Sequence, residues 1–594
     1  MYFLTDFNLS RLIVISLLSK SYRMQNKYIS VGFSNILFLI IILNLFACKQ
    51  SGDQNAIYNI SKSVTTDSAM VASAHPLATS VGIEILRQGG NAIDAAIAVQ
   101  FALAVCYPGA GNIGGGGFLV YRNKDGEIST LDYREKASSF ATADMYLDSL
   151  GNPITDKSLY GHLAAGVPGT VDGMVKAFEK YSKLKDWKKL VQPAIDMAEN
   201  GFKITEREAE NLNEDQPLFI KYNLAPTAFH KEKWNTGDLL IQKELAQTLT
   251  AIRDQGRSGF YEGKVADHII DEMKAGGGII TYDDLKAYQA VWRTPVTTMY
   301  RGNKIISMPP PSSGGIVLIQ LLKMVEPYDL RSIKFQSAAS VHLMVEAERR
   351  AFADRAKHLG DPDFYKIPTM LTDSSYIQNR MANFNPRVAN KSDSISYGMI
   401  ESEETTHFSI VDTEGNAVSL TTTLNGGYGA YTVVRGAGFL LNNEMDDFSV
   451  KPGTPNMYGL VGAEANKIEP NKRMLSSMTP TIIEKDGKLK MVVGTPGGST
   501  IITSVFQAIV NVIDFDMDAD KAIQSPRFHH QWLPDVILTE KDAIPASERK
   551  LLEIIGHTFK DRNAIGRMEA IVITNQGKLQ GAADRRGDDD VKGF

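Results

Sequence analysis

The stretch that decides the fold is Glu404-Thr405-Thr406-His407-Phe408-Ser409-Ile410-Val411-Asp412, where a charged, loop-like run turns abruptly into an alternating, strand-like one. Residues 390–404 before it (NKSDSISYGMIESEE) are polar and without period, the composition of an exposed linker open to cleavage. After it, Glu414-Gly415-Asn416 marks a turn, and residues 417–425 read as an antiparallel return strand. That return sets Thr423 beside Thr405, with Asn425 on the same face. A hydroxyl is a weak nucleophile without a base, and no His/Asp partnership is evident near Thr405. Cleavage between Glu404 and Thr405 supplies one, because a free α-amine, with an ordinary pKa of about 7.7 to 8.0, can take the hydroxyl proton and later return it. Thr405 is therefore expected to be a nucleophile that the chain exposes by cutting itself. Taken alone, these residues fit an ordinary loop entering an ordinary strand at least as well, so the rest of the chain carries the weight.

Working outward, residues 479–485 and 488–493 form a second hairpin across Asp486-Gly487, which runs into Gly494-Thr-Pro-Gly-Gly498 and an apolar helix over residues 501–513. Strand, glycine turn and helix start point successive backbone N–H groups at one spot. An oxyanion hole needs such donors, although a plain strand-to-helix turn has the same sequence. In the first half, residues 70–108 read as two helices: one runs from His75-Pro76 to a Gly89-Gly90 stop, and Asn91 caps the alanine-rich second, which places Cys106 in the core. Gly109 to Gly117 formally contains GxGxxG, but a helix precedes it and a hairpin follows, the reverse of a dinucleotide-binding turn. These glycines are expected to allow close backbone packing. The hairpin delivers Arg134 to a strand end, where a planar guanidinium can clamp a carboxylate. Residues 163–390 read as mainly helical, with Met308-Pro-Pro-Pro-Ser-Ser-Gly-Gly315 as a connector.

Composition narrows the function classes. A chain of 594 residues with 43% hydrophobic and 22% charged residues is globular, and its net charge of -5 argues against a nucleic-acid binder. Asp588-Asp589-Asp590 reads as a solvated tail. Two cysteines, Cys48 and Cys106, cannot build a disulfide scaffold, and no Cys/His cluster has metal-ligand spacing, so neither a structural metal nor a cofactor is expected. Residues 35–46 (NILFLIIILNLF) form an apolar run too short to span a bilayer comfortably. We read residues 1–47 as an export signal, with Met24 as an alternative start. Leu45-Phe46-Ala47-Cys48 resembles a bacterial lipobox, so Cys48 is the expected lipidation site and residues 48–64 a tether. A plain secretory signal or an uncleaved anchor are the alternatives.

Several motifs in one order then carry a family resemblance: Gly111 to Gly117, Pro309 to Gly315, Thr405-Thr-His-Phe-Ser, Leu441-Asn-Asn-Glu-Met-Asp-Asp-Phe448, Asn471-Lys-Arg-Met-Leu-Ser-Ser-Met478 and Gly494-Thr-Pro-Gly-Gly498. From about residue 65 to the end, the chain resembles the γ-glutamyltranspeptidase (glutathione hydrolase) family. The resemblance implies an α+β fold, an αββα sandwich of the N-terminal-nucleophile hydrolase type. It would be built from a large subunit (65–404) and a small subunit (405–594) after cleavage between Glu404 and Thr405. Carried over by position, Thr405 is the nucleophile, Thr423 its supporting hydroxyl, and Gly497 and Gly498 the oxyanion amides. Arg134, Ser476 and Ser477 would hold the γ-glutamyl α-carboxylate, and Asn425, Glu444 and Asp447 its α-amino group. Residues 447–472, with Tyr458 near the middle, resemble a lid loop. The implied activity transfers a γ-glutamyl group from glutathione or related compounds to water, an amino acid or a dipeptide. Cephalosporin acylases and polyglutamate-processing enzymes share such a fold, and an unprocessed binding protein is the rival outside enzymes.

Overall fold

The computed structural model describes residues 57–392 and 405–594. The expected leader 1–47, the lipidation site Cys48 and the cleavage residue Glu404 lie outside the described residues. The first half of the chain supplies β1 (Ser63–Thr66), β2 (Met70–Ser73), β3 (Gly116–Arg122), β4 (Ile128–Asp132), β5 (Val291–Arg293), β6 (Val296–Tyr300) and β7 (Asn303–Ser307). The second half supplies β8 (Thr405–Val411), β9 (Ala417–Thr423), β10 (Thr481–Lys485), β11 (Lys488–Gly494), β12 (Glu569–Ile573), β13 (Leu579–Ala583) and β14 (Asp590–Gly593). These pair into two seven-stranded sheets, ordered β1-β13-β12-β11-β10-β7-β6 and β14-β2-β8-β9-β3-β4-β5. Both sheets mix strands from either side of the 404/405 junction. Backbone ladders would therefore hold two cleaved pieces together.

Side-chain alternation builds the layers. Met70, Ala72, Val120, Val411 and Ala417 of one sheet meet Ile306, Ile482, Val492 and Ile571 of the other in an apolar seam. On the outer face of the sheet that contains β8, Val71, Leu119, Phe408, Ile410 and Val418 join the core of α1 (Pro76–Arg87) and α2 (Ala92–Cys106). Helix α2 is buried along its whole length, Cys106 included, and Asn91 and Asp94 close a capping box at its start. Helices α3 (Gly314–Val325), α4 (Ala338–His358) and α5 (Thr500–Ile513) cover the other sheet. The result is the expected αββα sandwich.

The glycines after α2 serve close approach: a Cβ at Gly115 would lie 2.1 Å from the Thr423 carbonyl oxygen, and one at Gly117 2.4 Å from that of Thr421. Other expectations are corrected. Residues 70–73 are a central strand rather than helix. The β6–β7 hairpin interrupts the region read as helical, and its turn, Arg301-Gly302, has φ of 49° and 75°, the two positive angles that a tight hairpin needs. Strand β8 is buried on both faces because it lies inside the sandwich. The acidic run at 588–590 is no solvated tail: Asp589 and Asp590 are fully buried, Asp589 pairs with Arg567, Asp590 accepts from the Ser61 N–H and Asp588 accepts from Thr205. The described end of the expected tether, residues 57–64, belongs to the folded body, with Tyr58 bonded to the Lys203 carbonyl and β1 paired with β13.

Candidate active site

Strand β8 opens on Thr405, and the β8–β9 register pairs it directly with Thr423. Their hydroxyl oxygens lie 3.3 Å apart, longer than a tight O–H···O bond. Thr423 Oγ1 accepts the Asn425 N–H at 2.8 Å. Asn425 sits at φ 78°, and its side-chain Nδ2 donates to the Asn443 carbonyl. That bond fixes the amide so that Oδ1 remains as an acceptor. His407, two residues along the same face, is no base for Thr405: burial pushes its pKa down to about 3, and its ring nitrogens face Thr421 and Ser409.

The turn from β11 into α5 stands across from Thr405. Gly497 and Gly498 have φ of 139° and 52°, conformations that glycine adopts without strain. Their carbonyls accept from Thr500 and Ile501 in the first helical turn. Their own N–H groups donate to no acceptor among the described residues. Gly498 lines the pocket with Thr405 and Thr423, while Gly497 precedes it in the turn without lining the pocket.

Charge is concentrated at the pocket's far end. Arg134, 1% exposed, places Nη1 2.5 Å from Glu444 and Nη2 2.5 Å from Asp447. Burial opposes the guanidinium charge, but Glu444, Asp447 and Glu135 outweigh it and raise its pKa. Burial likewise raises Glu444 and Asp447, against the pull of Arg134. Both Glu444 oxygens lack a hydrogen-bond donor of good geometry. The site therefore holds buried acceptors that an ammonium could satisfy, beside a cation that a carboxylate could reach. Ser476 and Ser477 line the same pocket. Ser477 Oγ accepts from Arg355 of α4 at 3.1 Å, and Arg355 also donates to Ser313. Sequence reasoning missed Arg355: it falls in an unremarkable helical stretch, and burial lowers its pKa to about 10 while Asp447 opposes the shift. Glu135 was also missed, although it directly follows Arg134; burial raises its pKa to about 7.

Tyr458, near the middle of residues 447–472, lines the pocket as well. Its hydroxyl donates to the Asn425 carbonyl at 2.5 Å, and its ring lies over Gly498, where a Cβ would meet it at 2.4 Å. Asn456 donates to Asp447 and the Met457 N–H to Asp446. Among the described residues, one cluster has metal-binding residue types, His342, Glu346 and His557. Its two α4 members lie about two and a half and three and a half turns from Arg355. The two imidazoles hydrogen-bond each other at 2.7 Å, and Glu346 is held by Arg349 and Arg350. Those contacts make it a hydrogen-bonded strut rather than a ligand sphere.

The γ-glutamyltranspeptidase sequence profile matches residues 78–594. The chain belongs to this family. It is 46% identical over 535 residues to the glutathione hydrolase proenzyme of Escherichia coli K12, covering 89% of this chain and 92% of the relative. The acylase ACY 1 proenzyme of Pseudomonas sp. strain V22 is 37% identical over 542 residues, covering 89% and 94%. Among solved structures, Helicobacter pylori γ-glutamyltranspeptidase is 45% identical with a TM-score of 0.53, covering 58% of this chain and 97% of that one. A cephalosporin acylase from Bacillus halodurans, 24% identical, has a TM-score of 0.79 and covers 92% and 99%, which shows the shared fold.

Proposed function

We propose that the pocket transfers and hydrolyses γ-glutamyl groups, taken from glutathione or related amides, with Thr405 as nucleophile. The observation that carries this reading is the pairing of the Thr405 hydroxyl with a buried, charge-matched amino-acid site, Arg134 against Glu444 and Asp447, in one pocket. Two buried carboxylates suit an acyl group whose head carries an ammonium, which favours γ-glutamyl amides over acyl groups that lack one.

In the precursor, Thr405 Oγ1 attacks the Glu404 carbonyl; the peptide bond becomes an ester and the Thr405 amine is freed. Water then splits the ester, leaving Glu404 as a carboxylate and Thr405 as an N-terminus. In the mature enzyme that amine takes the hydroxyl proton as Oγ1 attacks the substrate γ-carbonyl. The oxyanion forms against the Gly498 and Gly497 N–H groups. Arg134 with Ser476 and Ser477 holds the α-carboxylate, and Glu444, Asp447 and Asn425 Oδ1 hold the ammonium. Thr423 supports Oγ1, and Tyr458 shields the acyl-enzyme. The Thr405 ammonium protonates the leaving amine, and water or an acceptor amine resolves the ester. Residues 65–404 and 405–594 act as large and small subunits. Export with lipid anchoring at Cys48 completes the reading, on the lipobox-like residues alone; an acyl-shifted mass for the peptide beginning at Cys48 tests it. The catalytic reading is tested by release of a chromophoric amine from a γ-glutamyl anilide, with and without a dipeptide acceptor. No release by protein cut before Thr405 would sink it.

A further inference from the structure

The lid tip is fastened to both walls of the pocket. On one wall, Asp446 takes the Met457 N–H at 2.8 Å, and the Asn425 carbonyl takes the Tyr458 hydroxyl. On the other, Gln531 Nε2 donates to the Tyr458 carbonyl oxygen at 3.0 Å. Gln531 is 7% exposed and follows the short strand Phe528–His529.

A side-chain amide can present either end, and here the Tyr458 carbonyl, which only accepts, requires the nitrogen, leaving Oε1 for His529. Burial keeps His529 neutral, with its pKa pushed down to about 3, so the ring carries one N–H. Its Nε2 faces Gln531 Oε1 at 2.8 Å, and its Nδ1 faces Thr503 Oγ1 at 2.8 Å. Gln531 Oε1 only accepts, so the proton sits on Nε2; Nδ1 is then an acceptor, and the Thr503 hydroxyl turns to it at 2.8 Å in place of its 3.1 Å contact with the Thr500 carbonyl. His529 Nε2–H and the Tyr458 carbonyl thus hold the two ends of the amide in one orientation. Thr503 lies on α5, the helix that begins at the oxyanion turn, so the chain of bonds ties the lid tip to the element presenting Gly498.

We propose that Gln531 is the latch of this lid, a positioning residue whose His529-oriented amide holds Tyr458 over the pocket and so sets the apparent affinity for the γ-glutamyl donor. The proposal rests on the γ-glutamyl reading of the site given above. Gln531 touches no reacting atom; it acts through Tyr458. Without it the closed lid loses the Gln531 bond to the Tyr458 carbonyl, the open state gains population, and water reaches the acyl-enzyme more often.

The test uses the processed enzyme and a γ-glutamyl anilide, with and without a dipeptide acceptor. In Gln531→Leu, loss of one net hydrogen bond is expected to raise KM about fivefold, with kcat within about twofold, cleavage complete and a larger hydrolysed share. Gln531→Glu separates latching from general loosening. At pH 8 its carboxylate has no proton to give and KM should rise as in Gln531→Leu; toward pH 4, below the ordinary Glu pKa of about 4.3, the protonated acid can donate to Tyr458, and the ratio of variant to wild-type KM should return toward one. A Gln531→Leu KM within twofold of wild type, or a Gln531→Glu ratio that does not fall with acid, overturns the latch. Should Gln531→Leu not fold, the acid response of Gln531→Glu decides alone. Inactive but correctly cut wild type would instead overturn the γ-glutamyl reading.

Discussion

Replacing Arg134 with alanine should separate substrate recognition from maturation. The guanidinium is fully buried and faces Glu444 and Asp447 at 2.5 Å on each side. A zwitterionic head would place its carboxylate on the same planar fork through two charge-assisted hydrogen bonds, each contributing about 1.5–3 kcal/mol. Losing both removes about 3–6 kcal/mol, a fall in kcat/KM of about 100- to 20,000-fold at 1.4 kcal/mol per decade. The effect belongs near the upper end. Burial already raises Glu444 and Asp447, and without Arg134 both shift further upward, which weakens the counter-charge offered to the ammonium as well. Cleavage should proceed, because the Glu404–Thr405 bond offers no free α-carboxylate to hold. Initial rates with a γ-glutamyl anilide, together with a denaturing gel of the same preparation, measure both. A fall of less than tenfold with complete cleavage would refute the head-group reading; an uncut chain would mean that Arg134 serves the fold instead.

Three further outcomes follow from the geometry. Thr423→Val keeps the shape but removes the hydroxyl 3.3 Å from Thr405; cleavage and kcat should each slow about tenfold, a hydrogen bond's worth, with KM little changed, and time courses of cleavage and turnover check it. Gly498→Ala combines a φ of 52° with a Cβ 2.4 Å from the Tyr458 ring; kcat/KM should fall at least tenfold, and Tyr458→Ala in the same background should restore part of it by removing the clash, though not the backbone strain of about 1–2 kcal/mol. Burial raises Asp446 to about 6 from an ordinary 3.8, while its bonds to the Met457 N–H and Ser158 oppose the shift. The folded state then binds a proton more readily than the unfolded one, so this group's contribution to stability rises as pH falls from about 6 to about 4. Asp446→Asn should therefore gain thermal stability over wild type at pH 8 and lose that advantage by pH 4, read by calorimetry.

The elements that organise the site were legible where local rules dominate. The β8–β9 turn chemistry fixed the pairing of Thr405 with Thr423, and the glycine turn before α5 announced backbone amides that find no acceptor among the described residues. The Asn91 cap and the close approaches of Gly115 and Gly117 followed from the same kind of reasoning. What escaped depends on partners distant in sequence. Asp589 and Asp590 read as solvated because Arg567 and Ser61 are invisible to a local window. Arg355 reaches Ser477 only through the packing of α4 against the second half, and Gln531 gains meaning only when the lid lies against it. The β6–β7 hairpin was missed for a lesser reason, since Arg301-Gly302 carried a turn signal that the surrounding helices masked.

The central claim is that Thr405, freed as an N-terminus, is the atom-bearing nucleophile. The most direct test is to react the purified protein with an electrophilic diazoketone analogue of glutamine, then map the adduct by peptide mass. The account predicts a fragment beginning at Thr405 that carries one adduct on that residue, lost in Thr405→Ala, which remains a single chain. An adduct on any other residue, or stoichiometric labelling of the uncut chain, would contradict it.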